Sequence, residues 1–254
     1  MKNILRLAAA MAFLSSALAS PAKAQSLNPA QVAMASSVQS SLDPITVVPF
    51  DFDPNKSNLV RARWLTGIGC PTSVTVFDFS GSPTTVAEPA CPNGDSKDKQ
   101  NEGLLLVKTG PSVENFASAG AKLEGVKGKV LTELGYDLRK PGTTNTDPRG
   151  SHCGAGAPRF NVATSNGFFF VGCNSPPPTV TSGTAWQRLR WSPVMGFSSA
   201  CTVPPGGPCP ITGTVDSITI IFDEGTDTGP DDFGLAVIDN IDVNGTLVGK
   251  GPGS

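Results

Sequence analysis

The sequence predicts an all-β protein, an antiparallel jelly-roll-like β-sandwich with three disulfides and long loops. Three observations lead to this prediction. Short segments of alternating or β-branched apolar residues recur along the chain, clusters of Gly, Pro, Asn and Asp separate them, and almost no segment has the period of a helix. Antiparallel sandwiches are built from many short strands joined by turns of this kind.

The first 24 residues have the features of a secretory signal peptide. Lys2 and Arg6 precede an apolar, Ala-rich run over residues 7–19, and a small-residue cleavage site ends at Ala24. The apolar run is too short to span a bilayer. We therefore expect a secreted protein, extracellular or periplasmic, that has no membrane span.

Residues 25–43 are rich in Ala, Ser and Gln, and they predict either a short helix after Asn28 or a linker. Residues 44–254 are sufficient for a single β-sandwich domain. The formal net charge of −2 becomes −5 when the three basic residues of the signal peptide are removed. An acidic chain without a basic cluster argues against nucleic-acid binding, because the phosphate backbone requires Lys and Arg.

The six cysteines all follow the predicted signal peptide, and an even number of cysteines in a secreted chain indicates disulfides. Many connectivities are possible. The local solution joins the two cysteines that share one loop-bounded segment, which gives Cys70–Cys91, Cys153–Cys173 and Cys201–Cys209. A zinc site is disfavoured, because no C-x-x-C motif occurs and the chain has one His.

Strands are predicted from apolar runs and from alternation with a period of two. They fall at residues 45–50, 58–65, 73–79, 104–107, in two pieces within 121–139, and at 159–164, 168–171, 185–191, 217–223, 235–243 and 246–248. The polar segments 80–103 and 140–158 are predicted to be long surface loops.

The clearest hairpin signal is the Asn166-Gly167 pair between two apolar strands. Both residue types tolerate the positive φ that a type I′ turn requires. In this hairpin Phe160 and Val162 are expected on one face, and Arg159 and Asn161 on the other.

Polar side chains on two of the predicted strands form a candidate ligand site. If the strands are neighbours, these side chains line one concave surface suited to sugar hydroxyls or carboxylates. Trp191 is an alternative to Trp186 as a stacking face, and the competing interpretation is an Arg–Asp network that only fixes the outer sheet face. The candidate ligand residues are Asp137, Arg139, Arg159, Asn161 and Trp186.

The C-terminal third is acidic, because residues 192–249 contain no Lys or Arg. Clustered carboxylates without a local cation repel one another. A Gly-containing acidic loop can supply the oxygen ligands that Ca²⁺ takes, although a solvated acidic loop is the competing interpretation. The candidate metal ligands are Asp223, Asp227, Asp231, Asp232 and Asp239.

Asp239 is anomalous because it shares its strand register with Leu235, Val237, Ile241 and Val243, on the expected inward face. A lone buried carboxylate is costly unless it is paired or bound to a metal. Three interpretations are open: a bulge turns it outward, an Arg pairs with it, or a cation binds there. We favour the first two together.

Residues 234–245, GLAVIDNIDVNG, resemble the closing strand of jelly-roll carbohydrate-binding and galactose-binding-like domains. The resemblance covers this strand alone and bears on the fold more than on function. It implies a jelly roll, and it also implies a structural calcium near the strand.

Catalysis is not the leading expectation. His152 has no G-x-S-x-G elbow to accompany it. We expect a secreted, non-catalytic β-sandwich that binds an extracellular ligand such as carbohydrate. The alternatives are a structural or surface protein without a small ligand, and a polysaccharide-acting hydrolase or lyase. The carboxylate pair of such an enzyme would be Asp137 with Asp147, or Asp223 with Glu224.

Overall fold

The structure is a computed structural model that describes residues 44–71, 73–77, 80–92, 94–109, 116–140, 158–183, 185–202, 207–223 and 233–254. These residues form strands and no helix, which confirms the predicted all-β sandwich. No helix among them is long and apolar enough to cross a membrane. The predicted signal peptide and residues 25–43 lie outside the described residues.

Seven strands form the first sheet, sheet A, and all of its paired neighbours are antiparallel. In spatial order its strands are β1 (Thr46–Phe52), β6 (Ser118–Glu124), β14 (Val215–Phe222), β8 (Arg159–Thr164), β9 (Gly167–Gly172), β12 (Met195–Phe197) and β13 (Pro208–Pro210).

The second sheet, sheet B, is also antiparallel. In spatial order its strands are β10 (Thr179–Ser182), β11 (Gln187–Trp191), β7 (Leu134–Arg139), β15 (Phe233–Val243), β5 (Gly103–Thr109) and β2 (Val60–Leu65), with β16 (Thr246–Val248) beside β15. The long connection between β2 and β5, residues 66–102, contains a separate hairpin of β3 (Ser73–Phe77) and β4 (Pro83–Ala87).

An aromatic trio joins the two sheets at the centre of the main core. The ring of Tyr136 lies 5.3 Å from that of Phe160 and 5.6 Å from that of Trp191, measured between centroids. The Tyr136 hydroxyl donates to the carbonyl of Pro158 at 2.8 Å, and the Trp191 indole N–H donates to the carbonyl of Pro176 at 2.8 Å. Their polar atoms are therefore satisfied inside the core. The shared face predicted for Phe160 and Val162 is confirmed, because both side chains are completely buried in the main core.

A second, smaller hydrophobic cluster lies on the outer face of sheet B, under the 66–102 connection. Cys70 and Cys91 of the connection pack there against Trp186 and Val237 of the sheet. We call residues 66–102 the Cys70–Cys91 cover. It covers Trp186 and Val237 on the outer face of sheet B.

Two of the predicted disulfides are confirmed, Cys70–Cys91 and Cys201–Cys209. Cys173 is also disulfide-bonded. Its predicted partner, Cys153, lies outside the described residues.

Strand β15 contains a bulge, because its register with β7 shifts between Asp239 and Asp242. Asn240 at the bulge has a φ of 44°, in the left-handed region that Asn tolerates better than most residues. Ala236 and Ile238 face the main core before the bulge, as do Ile241 and Val243 after it. The single inward face predicted for Asp239 and its four apolar register partners is therefore wrong, because the bulge changes the phase of the strand.

Four strands, β4, β10, β12 and β13, were not predicted from the sequence. Each has three to five residues. Segments this short do not show a period of two, and the prolines of β4 and β13 are typical of loops.

We expect Phe160→Ala to lower the free energy of unfolding by about 3–5 kcal/mol, because it opens a cavity beside the aromatic trio. The matched control is Phe168→Ala in the same hairpin, which removes a side chain that is 46% exposed and should change stability by less than about 1 kcal/mol. Urea unfolding with the disulfides intact measures both values. Equal losses would contradict the assignment of faces in this hairpin.

Candidate functional site

The structure does not bring the predicted ligand residues onto one surface. Asp137 and Arg139 lie on β7 in sheet B, whereas Arg159 and Asn161 lie on β8 in sheet A. Each pair faces away from the core, so the two pairs lie on opposite sides of the sandwich. Although β7 and β8 are consecutive in the chain, they belong to different sheets, so these four side chains do not share one concave surface.

The outer surface of sheet A carries the best candidate site. Its side chains lie in register across five strands, with Phe197 beside Phe170, Phe170 beside Asn161, and so on to Thr219 and Lys122. Neighbouring strands are about 4.8 Å apart, so this row is about 20 Å long. We call the row, with the adjacent Arg159 and Phe168, the Phe170 face.

Two phenylalanines of the Phe170 face are exposed side by side. Phe168 is 46% exposed and Phe170 is 42% exposed, and their rings meet edge to face with centroids 5.1 Å apart. A hydrophobic side chain exposed in this way, next to another, is a marker of a binding surface. The sequence contained the signal, because three consecutive phenylalanines in a strand cannot all point to the same face.

Arg159 is held rigidly beside these rings. Its two terminal nitrogens donate to the carboxylate of Asp223 at 2.7 and 2.6 Å, and its Nε donates to Oδ1 of Asn161 at 3.1 Å. The guanidinium carbon lies 5.9 Å from the centroid of the Phe170 ring. The bidentate pair neutralises Arg159 and fixes the Asn161 amide, whose Nδ2 donates to no described residue.

Asp223 also influences a buried lysine. Lys108 is 1% exposed, and burial lowers the pKa of its ammonium, while the charge of Asp223 opposes this shift. Lys140 is equally buried, with its ammonium 5.4 Å from the centroid of the Phe222 ring. Both lysines therefore lie at the end of the sandwich where β14 ends, next to segments outside the described residues.

Asp137 belongs to a buried network of ion pairs and hydrogen bonds on sheet B, and it does not face a ligand site. It is completely buried, and its carboxylate accepts from Arg188 at 3.0 and 3.2 Å. Arg190 lies 3.3 Å from Asp137 and 3.2 Å from Asp242, and the Asn240 amide donates to Asp137 at 2.9 Å. Burial raises the pKa of Asp137 and the two arginines oppose this rise. The network joins β7, β11 and β15, which is the structural role that the competing interpretation gave to an Arg–Asp network.

Gly135 makes this network possible. A Cβ at this position would overlap the Arg190 side chain and the carbonyl oxygen of Leu189. The absence of a side chain leaves the space through which Arg190 reaches its two carboxylates.

Asp239 is buried without a basic partner among the described residues. It lies opposite Asp137 on the neighbouring strand, is 2% exposed, and accepts from the backbone N–H groups of Cys70, at 2.6 Å, and of Asn240. Burial raises the pKa of Asp239 to about 8 in spite of these two donors, and the carboxylates of Asp137 and Asp98 add to the rise. Asp239 faces away from the main core together with Leu235 and Val237, because the bulge follows it and turns Ile241 and Val243 inward. The arginines of this region pair with Asp137 and not with Asp239.

The predicted metal ligands are only partly described. Asp223 lies at the end of β14 with Arg159, and Asp239 lies under the Cys70–Cys91 cover, so these two do not converge. Asp227, Asp231 and Asp232 lie outside the described residues, and calcium binding there stays a prediction. In the part of the chain that the structure describes, one group has metal-ligand spacing, Cys70, Cys91 and Asp137, but its sulfurs form a disulfide.

The last two predicted ligand residues do not add to the Phe170 face. Trp186 is 2% exposed inside the second cluster, so its ring cannot stack on a ligand. Arg139 is exposed on β7, on the opposite side of the sandwich.

A cleft of about 240 Å³ lies between the start of the described chain and β16. Its lining includes Ile45, Leu247 and Pro252, with the side chains of Lys97 and Lys250 at its polar part. None of the predicted ligand residues lines this cleft, and no aromatic side chain is part of its lining. The Phe170 face is therefore the better candidate.

We expect the stability of the protein to fall as the pH rises from about 4 to about 8. Over this interval the folded state keeps a proton on Asp239 that the unfolded chain releases, and the slope for one group is at most about 1.4 kcal/mol per pH unit. Asp239→Asn removes the ionisable group and should flatten the profile, although its amide nitrogen cannot accept one of the two backbone N–H groups that the Asp239 carboxylate accepts. Parallel profiles from chemical denaturation would contradict the assignment.

Three comparisons with known proteins complete the description of the site. No protein-family model, no curated protein and no solved structure matches the chain.

Proposed function

We propose that the chain is a secreted, non-catalytic binding protein that holds a neutral carbohydrate on its Phe170 face. The observation that carries this proposal is the exposed Phe168–Phe170 pair beside the fixed polar group of Arg159, Asn161 and Asp223.

The chemistry of this face suits a sugar. The C–H surface of a sugar ring packs on an exposed aromatic ring, and its hydroxyls pair with amide, carboxylate and hydroxyl groups at the edge of that ring. Phe170 offers the ring, the Asn161 amide lies next to it in the row, and the Thr219 hydroxyl lies next to Asn161. The Arg159–Asp223 pair holds Asn161 in place before the ligand arrives, which reduces the ordering entropy lost on binding.

The charge pattern favours a neutral ligand. Arg159 is neutralised by Asp223, and Lys122 lies 3.2 Å from the carboxylate of Glu124. The described part of the face thus presents no unpaired cation to a ligand carboxylate or sulfate. Its shape favours a linear ligand, because the polar and aromatic groups form a row across the strands rather than a closed pocket.

Two features support secretion. The N-terminal sequence has the pattern of a signal peptide. The Cys70–Cys91 and Cys201–Cys209 bonds are typical of an oxidising compartment outside the cytosol.

We expect Phe170→Ala to weaken glycan binding by about tenfold or more, because truncating an aromatic at the centre of a binding face typically removes more than 1 kcal/mol. The matched control is Phe116→Ala, which removes a phenylalanine that is 76% exposed outside the face. A glycan array identifies the ligand, and titration calorimetry measures the change. Binding that survives Phe170→Ala would exclude this face.

The same variants separate the alternative functions. Self-association without any glycan, lost in Phe170→Ala, would indicate a structural protein that uses the face to assemble. Turnover of a polysaccharide, lost when a single carboxylate is changed, would indicate an enzyme.

We also expect the dissociation constant of the glycan to change by less than about twofold between about 0.1 and 1 M salt, because neutral ligands are not affected by screening. Affinity should rise with the number of sugar units and level off once the oligosaccharide covers the row. Tighter binding of uronic acid oligomers, weakened by salt, would show that the ligand is acidic.

A further inference from the structure

Apart from β16, which pairs beside β15 outside the main strand order, four strands end the two sheets, and one of them differs from the other three. They are β1 and β13 in sheet A, and β10 and β2 in sheet B. An edge strand presents unpaired N–H and C=O groups to which another strand can add, and proteins usually block it with proline, charge or a covering group.

The edges β1 and β2 block each other where the sheets meet. The N–H of Ala62 donates to the Asp51 carboxylate at 2.6 Å, and the Trp64 indole N–H donates to the Val47 carbonyl at 3.0 Å. Pro49 in the middle of β1 has no N–H to offer. A further strand cannot add to this side of the sandwich.

The edge β13 is blocked by its composition. It reads Pro208-Cys209-Pro210, and Cys209 is tied to Cys201 by a disulfide and paired with Gly196 of β12. Neither proline has an N–H, so the outward side of this strand has no donor in these residues.

The edge β10 has none of these blocking features among the described residues. All four of its residues, Thr179–Ser182, are exposed, and they include no proline and no charge. Val180 is 38% exposed. The Gly183 N–H donates to the Trp186 carbonyl at 2.8 Å, and the alternation of an antiparallel ladder then turns the N–H and C=O of Val180 and Ser182 outward. Among the described residues nothing pairs with these outward groups.

We propose that β10 is a dimerisation edge, at which a second copy of this chain adds its own β10 in antiparallel register. The two-fold axis passes between the Thr181 residues of the two copies. Val180 of each copy then lies opposite Ser182 of the other, and each such pair exchanges both of its N–H···O hydrogen bonds. Sheet B becomes continuous through the dimer.

A second copy fits this edge better than a foreign peptide does. The strand is preformed on both copies, so pairing orders little additional chain, whereas a free peptide must be ordered from a flexible state. The edge is uncharged, so identical strands meet without repulsion. The nearest charged side chain on the neighbouring strand, Arg188, is already paired with Asp137. Because the contact is small, the dimer should be weak and dependent on concentration.

The first test compares Val180→Pro with its matched control, Val180→Thr, by sedimentation velocity over a range of concentrations. Proline removes the outward N–H of Val180 and leaves the ladder with β11 intact, so this variant should stay folded and monomeric. Val180→Thr keeps the N–H and the β-branched shape, and it should dimerise like the parent. A parent that stays monomeric at millimolar concentration, or a dimer that persists in folded Val180→Pro, would overturn the proposal.

The second test determines the register. In the proposed dimer the two Thr181 residues are directly opposite in a non-hydrogen-bonded pair, a position whose Cα separation suits a disulfide. Thr181→Cys should therefore form a covalent dimer on mild oxidation, whereas Val180→Cys, whose neighbour is the partner's Ser182, should not. Equal cross-linking of both variants would contradict this register. A monomer that instead captures a synthetic Thr/Val-rich extended peptide at β10 would assign the edge to a different occupant.

Discussion

The bulge in β15 is the constraint on which both hydrophobic clusters depend. A regular strand of eleven residues would place every second side chain on the same face throughout. The shift between Asp239 and Asp242 instead lets Leu235 and Val237 pack under the Cys70–Cys91 cover, while Ile241 and Val243 enter the main core. Asn240 holds the bulge through its backbone φ and through its side chain, which donates to Asp137 and accepts from the N–H of Asp95.

This arrangement makes the two outer faces of the sandwich unequal. On sheet B the Cys70–Cys91 cover buries a hydrophobic cluster and a polar network. Arg188 and Arg190 are paired with carboxylates there. On sheet A no described segment covers the row from Phe197 to Lys122, and the aromatic rings there remain exposed. Buried ion pairs of this kind are weak sources of stability, but breaking one partner leaves an uncompensated charge. The outer face of sheet B is therefore largely occupied by buried and paired side chains, whereas the row on sheet A stays exposed.

The local pattern of the sequence was sufficient for the shared face of Phe160 and Val162, and for the existence of the β8–β9 hairpin. The predicted type I′ turn at Asn166-Gly167 is wrong, because the two-residue loop is Ser165-Asn166 and Asn166 does not have a positive φ. The local pattern was not sufficient for what depends on distant residues. Alternation cannot say that β7 and β8 belong to different sheets, so Arg139 and Arg159 were placed together although they lie far apart. The predicted alternation also continued past Asp239, because the position of a bulge depends on the partner strand and does not show in the sequence of one strand. Strands as short as β10 have too few residues to show a period at all.

The position of β10 has a consequence for avidity. Antiparallel addition at the edge of a sheet uses a two-fold axis perpendicular to that sheet, so both copies of the sandwich keep the same side up. Two Phe170 faces would then point in one direction, on a rigid platform without a flexible linker. A polysaccharide fibre or a glycan-coated surface could engage both at once, and the second contact would be intramolecular. Weak recognition of a single sugar chain would become durable attachment to a dense array of chains, while isolated oligosaccharides would still dissociate quickly.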